Sequence, residues 1–343
     1  MEKSVFVDLR KLSTEQANVF LNSYTGWNQT IAEAAYEKGY GVEIYAPNQI
    51  VRIQHPTSRK RKYLYSMHTP LNVESSAALA NNKFNTNLIL RDAGIPVSRS
   101  IRLSKSDFLD TGISDIALKF PVVVKPNEHT VGGEGVILNI QDSDSLYAAL
   151  TKSFEAVSFV IIEEYHPYPN EYRVLVLDEE VIAVTQRIPA YIIGDGVATV
   201  EELIAQKNQQ RLANPQIKMK PVPIDDVALK HIQDADYSLN SIISKDTALT
   251  LQDVVNSGRG GEFYDMTDDI CQENKDVCIQ AARALGLRFV GFDVLCHSIA
   301  EPIIEGAGIV VEANEYPGIT CHIFPHKGTP RLVQYPILEA LFI

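Results

Sequence analysis

Apolar and polar positions recur along this chain in distinct rhythms, and the changes of rhythm mark its elements. Val5-Phe6-Val7 reads as a short strand, the run 27–38 has helical spacing and stops at Gly39, and Val42-Glu43-Ile44-Tyr45 is again a strand. That order predicts a small N-terminal α/β unit. A second helix is predicted over 83–93, where Phe84, Leu88 and Ile89 recur at helical spacing. Gly94 and Pro96 just beyond are residues on which helices end.

From Phe120 the rhythm becomes that of strands. Val122-Val123-Val124 is a β-branched run, and the glycine-rich segment Gly132-Gly133-Glu134-Gly135 follows it. A helix near 145–154 leads to the strand Phe159-Val160-Ile161-Ile162. The stretch 171–177 alternates, turns at Asp178-Glu179-Glu180 and returns as 181–187, which predicts an antiparallel hairpin. The polar, less periodic stretch 189–268 reads as an insertion between core elements, with one helix start at Thr199-Val200-Glu201-Glu202, the spelling of a capping box. A helix over 274–285, ended by Gly286, and strands over 288–295 and 308–314 complete the chain. There is no internal repeat and no low-complexity tract.

The length of 343 residues suits two or three packed subdomains, and 45% hydrophobic with 22% charged residues is an ordinary globular composition. A formal net charge of −12 argues against a broad nucleic-acid or membrane surface, which gathers basic residues on one face. Arg59-Lys60-Arg61-Lys62 is the exception, readable as a solvated loop or as an electropositive wall for an acidic substrate. Cys271, Cys278, Cys296 and Cys321 show no metal-like or redox spacing, and reduced thiols in the cytosol are the simplest account. The N-terminal residues lack a signal-like apolar stretch, and nowhere do about 18 apolar residues run together, which predicts a cytoplasmic protein.

Neither a Gly-x-x-x-x-Gly-Lys-Ser/Thr nor a strand-borne Gly-x-Gly-x-x-Gly occurs, so any nucleotide is held by another device. The candidate is Lys125, at the end of a buried strand, together with Gly132, Gly133 and Gly135, whose lack of side chain lets backbone amides approach phosphate oxygens. Alone, the glycine run is an ordinary hairpin turn. Glu163-Glu164-Tyr165 ends a strand where main-chain groups could meet an adenine edge, with Glu171 placed to accept from ribose hydroxyls; the plainer reading is a solvated strand exit. Near the C-terminus Glu312 and Asn314, two apart in a strand, share a face. With Asp293 opposite them, three oxygen ligands would converge as magnesium prefers.

The order Lys83, Lys125-Pro126, glycine-rich loop, Glu163-Glu164-Tyr165, Glu171-Tyr172-Arg173, Asp293, Glu312-Ala313-Asn314 and Pro317-Gly318 resembles the ATP-grasp superfamily of carboxylate–amine ligases. Within it, Arg187-Ile188-Pro189-Ala190, Gly194-Asp195-Gly196 and the Thr199 segment look like the cyanophycin synthetase and bifunctional glutathione synthetase branches. The likeness covers about 81–325. It implies an α+β fold in which nucleotide is held between two antiparallel-sheet subdomains: an N-terminal α/β domain at 1–80, then an ATP-grasp domain at 81–343 made of a lid subdomain at about 119–187 and a C-terminal subdomain at about 188–343. It further implies that Lys83 and Lys125 contact ATP phosphates under the loop, that Glu163, Glu164 and Tyr165 lie by adenine and Glu171 by ribose, and that Asp293, Glu312 and Asn314 hold two magnesium ions, replaceable by manganese.

Related D-alanine ligases carry an arginine two residues before the metal-binding aspartate, where this chain has Gly291. The stabilising arginine must then come from elsewhere, with Arg187 or Arg259 the obvious substitutes; the resemblance also implies Arg173 and Arg187 as candidates for steadying the transferred phosphoryl group and the acyl oxygen. Asn256-Ser257-Gly258-Arg259-Gly260-Gly261 also departs from the threonine-glycine-glycine spelling of glutathione-type ligases. The expected activity is ATP-dependent amide formation through an acyl phosphate, on amino acids or small peptides, with a homo-oligomer possible and no nucleic-acid or membrane partner. The alternatives are a ligase acting on a peptide or polymer end and an ATP-sensing module without turnover.

Overall fold

The computed structural model describes residues 6–113, 116–127, 135–213, 220–253, 255, 257–304 and 306–343. Strand β1 (Val7–Asp8), helices α1 (Thr14–Ser23) and α2 (Gln29–Glu37), and strands β2 (Gly41–Tyr45), β3 (Ile50–Gln54) and β4 (Arg61–Tyr65) build the N-terminal unit. Its sheet runs β1-β2-β3-β4 with every pairing antiparallel. Apolar rhythm alone does not reveal α1, which buries only Ala17 and Leu21 and owes its start to a capping box between Ser13 and Gln16. The β3–β4 hairpin is hidden for a related reason. Only Val51, Ile53 and Leu64 point inward, while Arg52, Gln54, Arg61 and Tyr63 stay outside. Arg59, Lys60 and Arg61 stand exposed at its tip.

Helices α3 (Glu74–Asn81) and α4 (Lys83–Asp92) lead to strand β5 (Ser100–Ser104), helix α5 (Lys105–Thr111), strands β6 (Val122–Pro126) and β7 (Ile137–Ile140), helix α6 (Ser143–Ala156) and strand β8 (Phe159–Glu164). The four strands form an antiparallel sheet in the order β5-β8-β6-β7. Val122, Val124, Val160 and Ile162 turn to one side and pack with Phe108, Leu146 and Leu150 of α5 and α6. Strand alternation therefore sends Lys125 and Glu163 to the opposite side.

The rest of the chain supplies β9 (Asn170–Leu177), β10 (Glu180–Ile188), β11 (Tyr191–Ile193), α7 (Val200–Leu212), α8 (Asp226–Asp234), β12 (Ala248–Thr250), β13 (Glu262–Asp265), α9 (Gln272–Leu285), β14 (Phe289–Cys296), β15 (Gly308–Asn314), α10 (Thr320–Ile323) and α11 (Gln334–Ala340). A five-stranded antiparallel sheet runs β13-β10-β9-β14-β15. The β9–β10 turn is tight, with Asp178 and Glu179 both at positive φ, as a two-residue hairpin requires. One face of this sheet, through Tyr172, Val174, Val176, Val290, Phe292 and Val294, packs with Cys278, Ala281, Ala282 and Leu285 of α9. On the other face Leu175, Leu177 and Phe289 join the N-terminal core together with Ile337 and Leu338 of α11. That same face continues past the apolar contact into Glu171, Arg173 and Asp293.

The polar stretch read as an insertion has a core of its own. The β11–β12 ribbon, α7 and α8 bury Ile192, Val200, Leu203, Ile204, Ala228, Ile232 and Leu249 together, and the capping box at Thr199 and Glu202 forms. Its last strand, β13, belongs instead to the edge of the five-stranded sheet.

Candidate active site

Register across the five-stranded sheet assembles a polar cluster from residues distant in sequence. Arg173 on β9 lies opposite Asp293 on β14, and Asp293 opposite Glu312 on β15. Arg187 on β10 lies opposite Glu171 on β9, and Gly291 opposite Asn314. Paired residues and those two apart share a face, so these side chains converge. The Arg173 Nε and Nη2 donate to Asp293 Oδ1 and Oδ2 at 2.5 and 3.0 Å. Arg187 Nη1 reaches Asp293 Oδ2 at 3.0 Å and Glu171 Oε1 at 2.8 Å, while its Nη2 donates to the Val255 carbonyl at 2.6 Å. Asn314 Nδ2 donates to the Gly291 carbonyl at 3.2 Å and faces Asp293 Oδ2 at 3.4 Å.

Gly291 explains the missing arginine. A Cβ there would stand 2.8 Å from Arg173 Cδ and 2.9 Å from Pro317 Cβ, so the Arg173 side chain occupies the space above the glycine. The guanidinium reaches Asp293 from the neighbouring strand.

On the smaller sheet, Lys125 Nζ pairs with Glu163 Oε2 at 2.7 Å, with both side chains nearly closed off from solvent. Antiparallel pairing of β6 with β8 puts them two register positions apart on one face. Lys83, first residue of α4, ties this sheet to the larger one. Its backbone N donates to the Asn127 carbonyl at 3.3 Å and Phe84 N to Asn127 Oδ1 at 3.3 Å, while Lys83 Nζ lies 3.0 Å from Glu312 Oε1. Lys125 precedes Asn127 by two residues, so the segment that carries Lys125 is tied through Asn127 to the start of α4, whose Lys83 reaches Glu312 of β15.

Other candidates are placed differently. Glu164 accepts from Lys119 N at 3.1 Å and lies 3.6 Å from Arg99 Nη1, and its backbone N and O are bonded to Arg99 and Ser98. Tyr165 N donates to the Pro121 carbonyl at 2.9 Å. Arg259, in a 3₁₀ turn of the inserted region, pairs with Asp225 and Gln252 and not with Asp293. Gly135 has φ +74° and closes on Pro126, where a Cβ would meet Cγ at 2.9 Å. Gly132 and Gly133 lie outside the described residues.

Electrostatics hold the aspartate at the centre of this cluster charged. Burial opposes ionisation of Asp293, but Arg173 and Arg187 outweigh it and keep the carboxyl below its ordinary range. Glu171 is pushed upward by desolvation and by the charge of Asp293, against the pull of Arg187. Burial raises the Cys321 thiol, the reverse of what a nucleophilic cysteine needs. His322 is buried with Nδ1 2.7 Å from Thr185 Oγ1, and burial, then the charge of Arg173, pushes its pKa down to about 3; it is neutral at physiological pH. All four cysteines are free.

Among the described residues no group of three or more His, Cys, Asp or Glu forms a ready metal cage. The donors present are two carboxylates and one amide, sparse and all oxygen. Magnesium completes such sets with water and phosphate oxygens, so the chemistry of the set fits it. Lys83, Arg173 and Arg187 balance Glu171, Asp293 and Glu312, and an added anion with matching divalent charge would preserve that balance.

Residues 80–191 match the RimK-like ATP-grasp domain family. A cyanophycin synthetase of Synechocystis sp. is 33% identical over 320 residues, covering 92% of this chain and 34% of that protein. A glutathione biosynthesis bifunctional protein of Mannheimia succiniciproducens is 29% identical, covering 92% of this chain and 42% of the other. The crystal structure of a bifunctional glutathione synthetase from Pasteurella multocida superposes with a TM-score of 0.71 at 26% identity, over 95% of this chain and 46% of that one. The chain thus spans about a third to under half the length of these relatives. Among the described residues no helix is long and apolar enough to cross a membrane.

Proposed function

The chain carries a RimK-like ATP-grasp domain and belongs to the ATP-grasp superfamily, and from that premise we propose that it is an ADP-forming ligase joining a carboxylate to an amine, on an amino acid or small peptide. One arrangement supports this reading above all. Glu171, Arg173, Arg187, Asp293 and Glu312 share one sheet face, and Lys83 links that face to the strand bearing Lys125.

A carboxylate is a poor acyl donor because its leaving group would be oxide. In the proposed reaction a carboxylate oxygen attacks the γ-phosphorus of ATP, the bond to the β–γ bridging oxygen breaks, and ADP leaves. The amine nitrogen then attacks the acyl carbon, the C–O bond breaks, phosphate leaves with the electron pair, and the nitrogen gives up a proton. Both steps concentrate negative charge, and fixed cations stabilise it as it spreads. Lys83 and Lys125 bind the phosphates, together with Gly132, Gly133 and Gly135 of the glycine-rich segment. Arg173 and Arg187 steady the transferred group and the acyl oxygen. Glu163, Glu164 and Tyr165 border the adenine and Glu171 the ribose; Glu164 supplies no free polar group there, its carboxylate being engaged by Lys119 and Arg99 and its backbone groups by Arg99 and Ser98. Asp293, Glu312 and Asn314 would hold two magnesium ions, or manganese in their place, which supply charge neutralisation between the phosphates. Arg259, turned to Asp225, acts on the amine acceptor.

A second reading, in which the carboxylate or amine ends a longer peptide or polymer, is favoured by the exposed basic run at the β3–β4 tip, which has no ion-pair partner among the described residues. A screen of phosphate release with ATP and magnesium over amino acids, dipeptides and acidic peptides, with products weighed by mass spectrometry, tests both. ATP binding without phosphate release across the whole panel would overturn the ligase assignment in favour of a sensing module.

A further inference from the structure

Asn72, in the segment that joins the N-terminal unit to α3, uses the full hydrogen-bonding capacity of its side chain. Its Oδ1 accepts from the backbone N–H groups of Arg288 and Phe289, each at 3.0 Å. Its Nδ2 donates to the carbonyls of Phe289 at 2.7 Å and Glu315 at 2.8 Å. Two acceptor sites and two N–H bonds are all that a side-chain amide has. These partners lie 216 to 243 residues away along the chain. The neighbouring Leu71 fixes the approach, being buried in the same core as Phe289.

The four bonds fall where β15 leaves the sheet. Its last pair with β14 joins Asn314 to Gly291, so Phe289, two residues earlier on β14, faces the same edge beyond the end of β15. Phe289 is only 3% exposed, and its N–H and C=O need partners, which Asn72 supplies. The same amide holds Glu315, the residue after Asn314, so the chain departs from the sheet at a fixed point. The linker grips this segment a second time, for the rings of His68 and Tyr316 lie 4.0 Å apart between centroids. Next in the chain, Pro317 closes over Gly291 beside Arg173. Asn314 meanwhile gives its Nδ2 to the Gly291 carbonyl and faces Asp293. A displaced Glu315 would therefore disturb Asn314 on one side and the packing of Pro317 with Arg173 on the other.

We propose that Asn72 is a positioning residue of the reacting centre, setting Asn314 for the divalent cation and Pro317 against Arg173, so that the linker from the N-terminal unit governs cation affinity. The cation and the role of Arg173 rest on the ligase reading; the placing of the end of β15 by Asn72 does not. Asn72→Asp is the sharpest probe. It keeps the shape and the two accepted bonds but sets oxygen against the carbonyls of Phe289 and Glu315. The molecule also holds a matched control. Asn274, on α9 and buried, donates to the carbonyls of Ile299 and Glu301, each at 2.8 Å, and accepts from the Ile303 N–H at 2.7 Å. It staples the loop between the other ends of β14 and β15, away from Asn314 and Pro317.

The test compares the full-length protein with Asn72→Asp and Asn274→Asp. Should either fail to fold, Asn72→Ser and Asn274→Ser replace them, since one hydroxyl hydrogen cannot serve two carbonyls. Electron paramagnetic resonance of free Mn²⁺, in the presence of a non-hydrolysable ATP analogue, reads cation affinity without turnover, and urea midpoints read stability. Both variants should lose stability. The Asn72 variant should also bind Mn²⁺ at least about tenfold more weakly, the scale on which partners behind metal ligands act. Its kcat should fall by a larger factor than its KM for ATP rises, whereas the Asn274 variant should bind Mn²⁺ as wild type does. Wild-type Mn²⁺ affinity in a destabilised Asn72 variant would reduce the residue to a structural staple and overturn the proposal. Equal losses of Mn²⁺ affinity in the two variants, or no Mn²⁺ binding by wild type, would overturn it too. Mn²⁺ binding that depends on Asn72 in a protein releasing no phosphate across the substrate panel would uphold the positioning role while refuting the ligase reading.

Discussion

Arg173 and Asp293 stand directly opposite each other on β9 and β14 and are joined by two parallel bonds, with Arg187 adding a third from β10. The aspartate is thus the shared counter-charge of two guanidinium groups withdrawn from water. Asp293→Asn should remove it, and breaking such a buried pair costs about 3–5 kcal/mol. Chemical denaturation should show that loss, and phosphate release should fall by at least about 10²-fold. Wild-type turnover in Asp293→Asn would refute the role assigned to the carboxylate.

Gly291 is small because Arg173 crosses it. Gly291→Ala should force the arginine or Pro317 aside at a cost of about 1–3 kcal/mol, measured as a shift in denaturation midpoint at constant slope. The displaced guanidinium should also lower phosphate release more than ATP affinity.

Lys125 and Glu163 form a nearly solvent-free pair on the smaller sheet. Lys125→Ala should cost about 3–5 kcal/mol of stability by leaving Glu163 buried without its partner, and in the folded enzyme it should reduce ADP release by at least about 10²-fold, because a fixed charge on the phosphates is lost. A variant that retains full turnover would remove Lys125 from the phosphate site.

Asp265 on β13 ties the edge strand to Arg331. Burial opposes its charge, but the Arg331 pairing and the Thr267 hydroxyl hold the carboxyl below its ordinary range. A depressed carboxyl stabilises the fold above its unfolded pKa, near 3.9, and that contribution disappears as pH falls through the folded value. Arg331→Gln should therefore be less stable than wild type by about 1–3 kcal/mol at pH 7. The gap should close below about pH 4, as read from urea midpoints across the pH range.

Much of the fold was legible because its core strands alternate cleanly. The hairpin of β9 and β10, the strands β14 and β15, and the helices α4, α6 and α9 follow from apolar spacing and glycine stops. Helix α1 and the β3–β4 hairpin were not, since each buries only a few side chains. In the site, the shared face of Glu312 and Asn314 follows from period two, whereas the Arg173–Asp293 pairing spans 120 residues and depends on which strands are neighbours. Lys83 meeting Glu312, and Lys125 meeting Glu163, are likewise contacts between elements whose proximity no local pattern encodes.

Oxygen bookkeeping tests the proposed chemistry most directly. With the acid identified by the substrate screen labelled by ¹⁸O in its carboxyl group, transfer of the γ-phosphoryl onto that carboxylate should carry one labelled oxygen into the released phosphate, detected as a two-dalton shift alongside ADP. Amide product accompanied by unlabelled phosphate, or by AMP and pyrophosphate, would contradict an acyl phosphate and with it the assigned reaction.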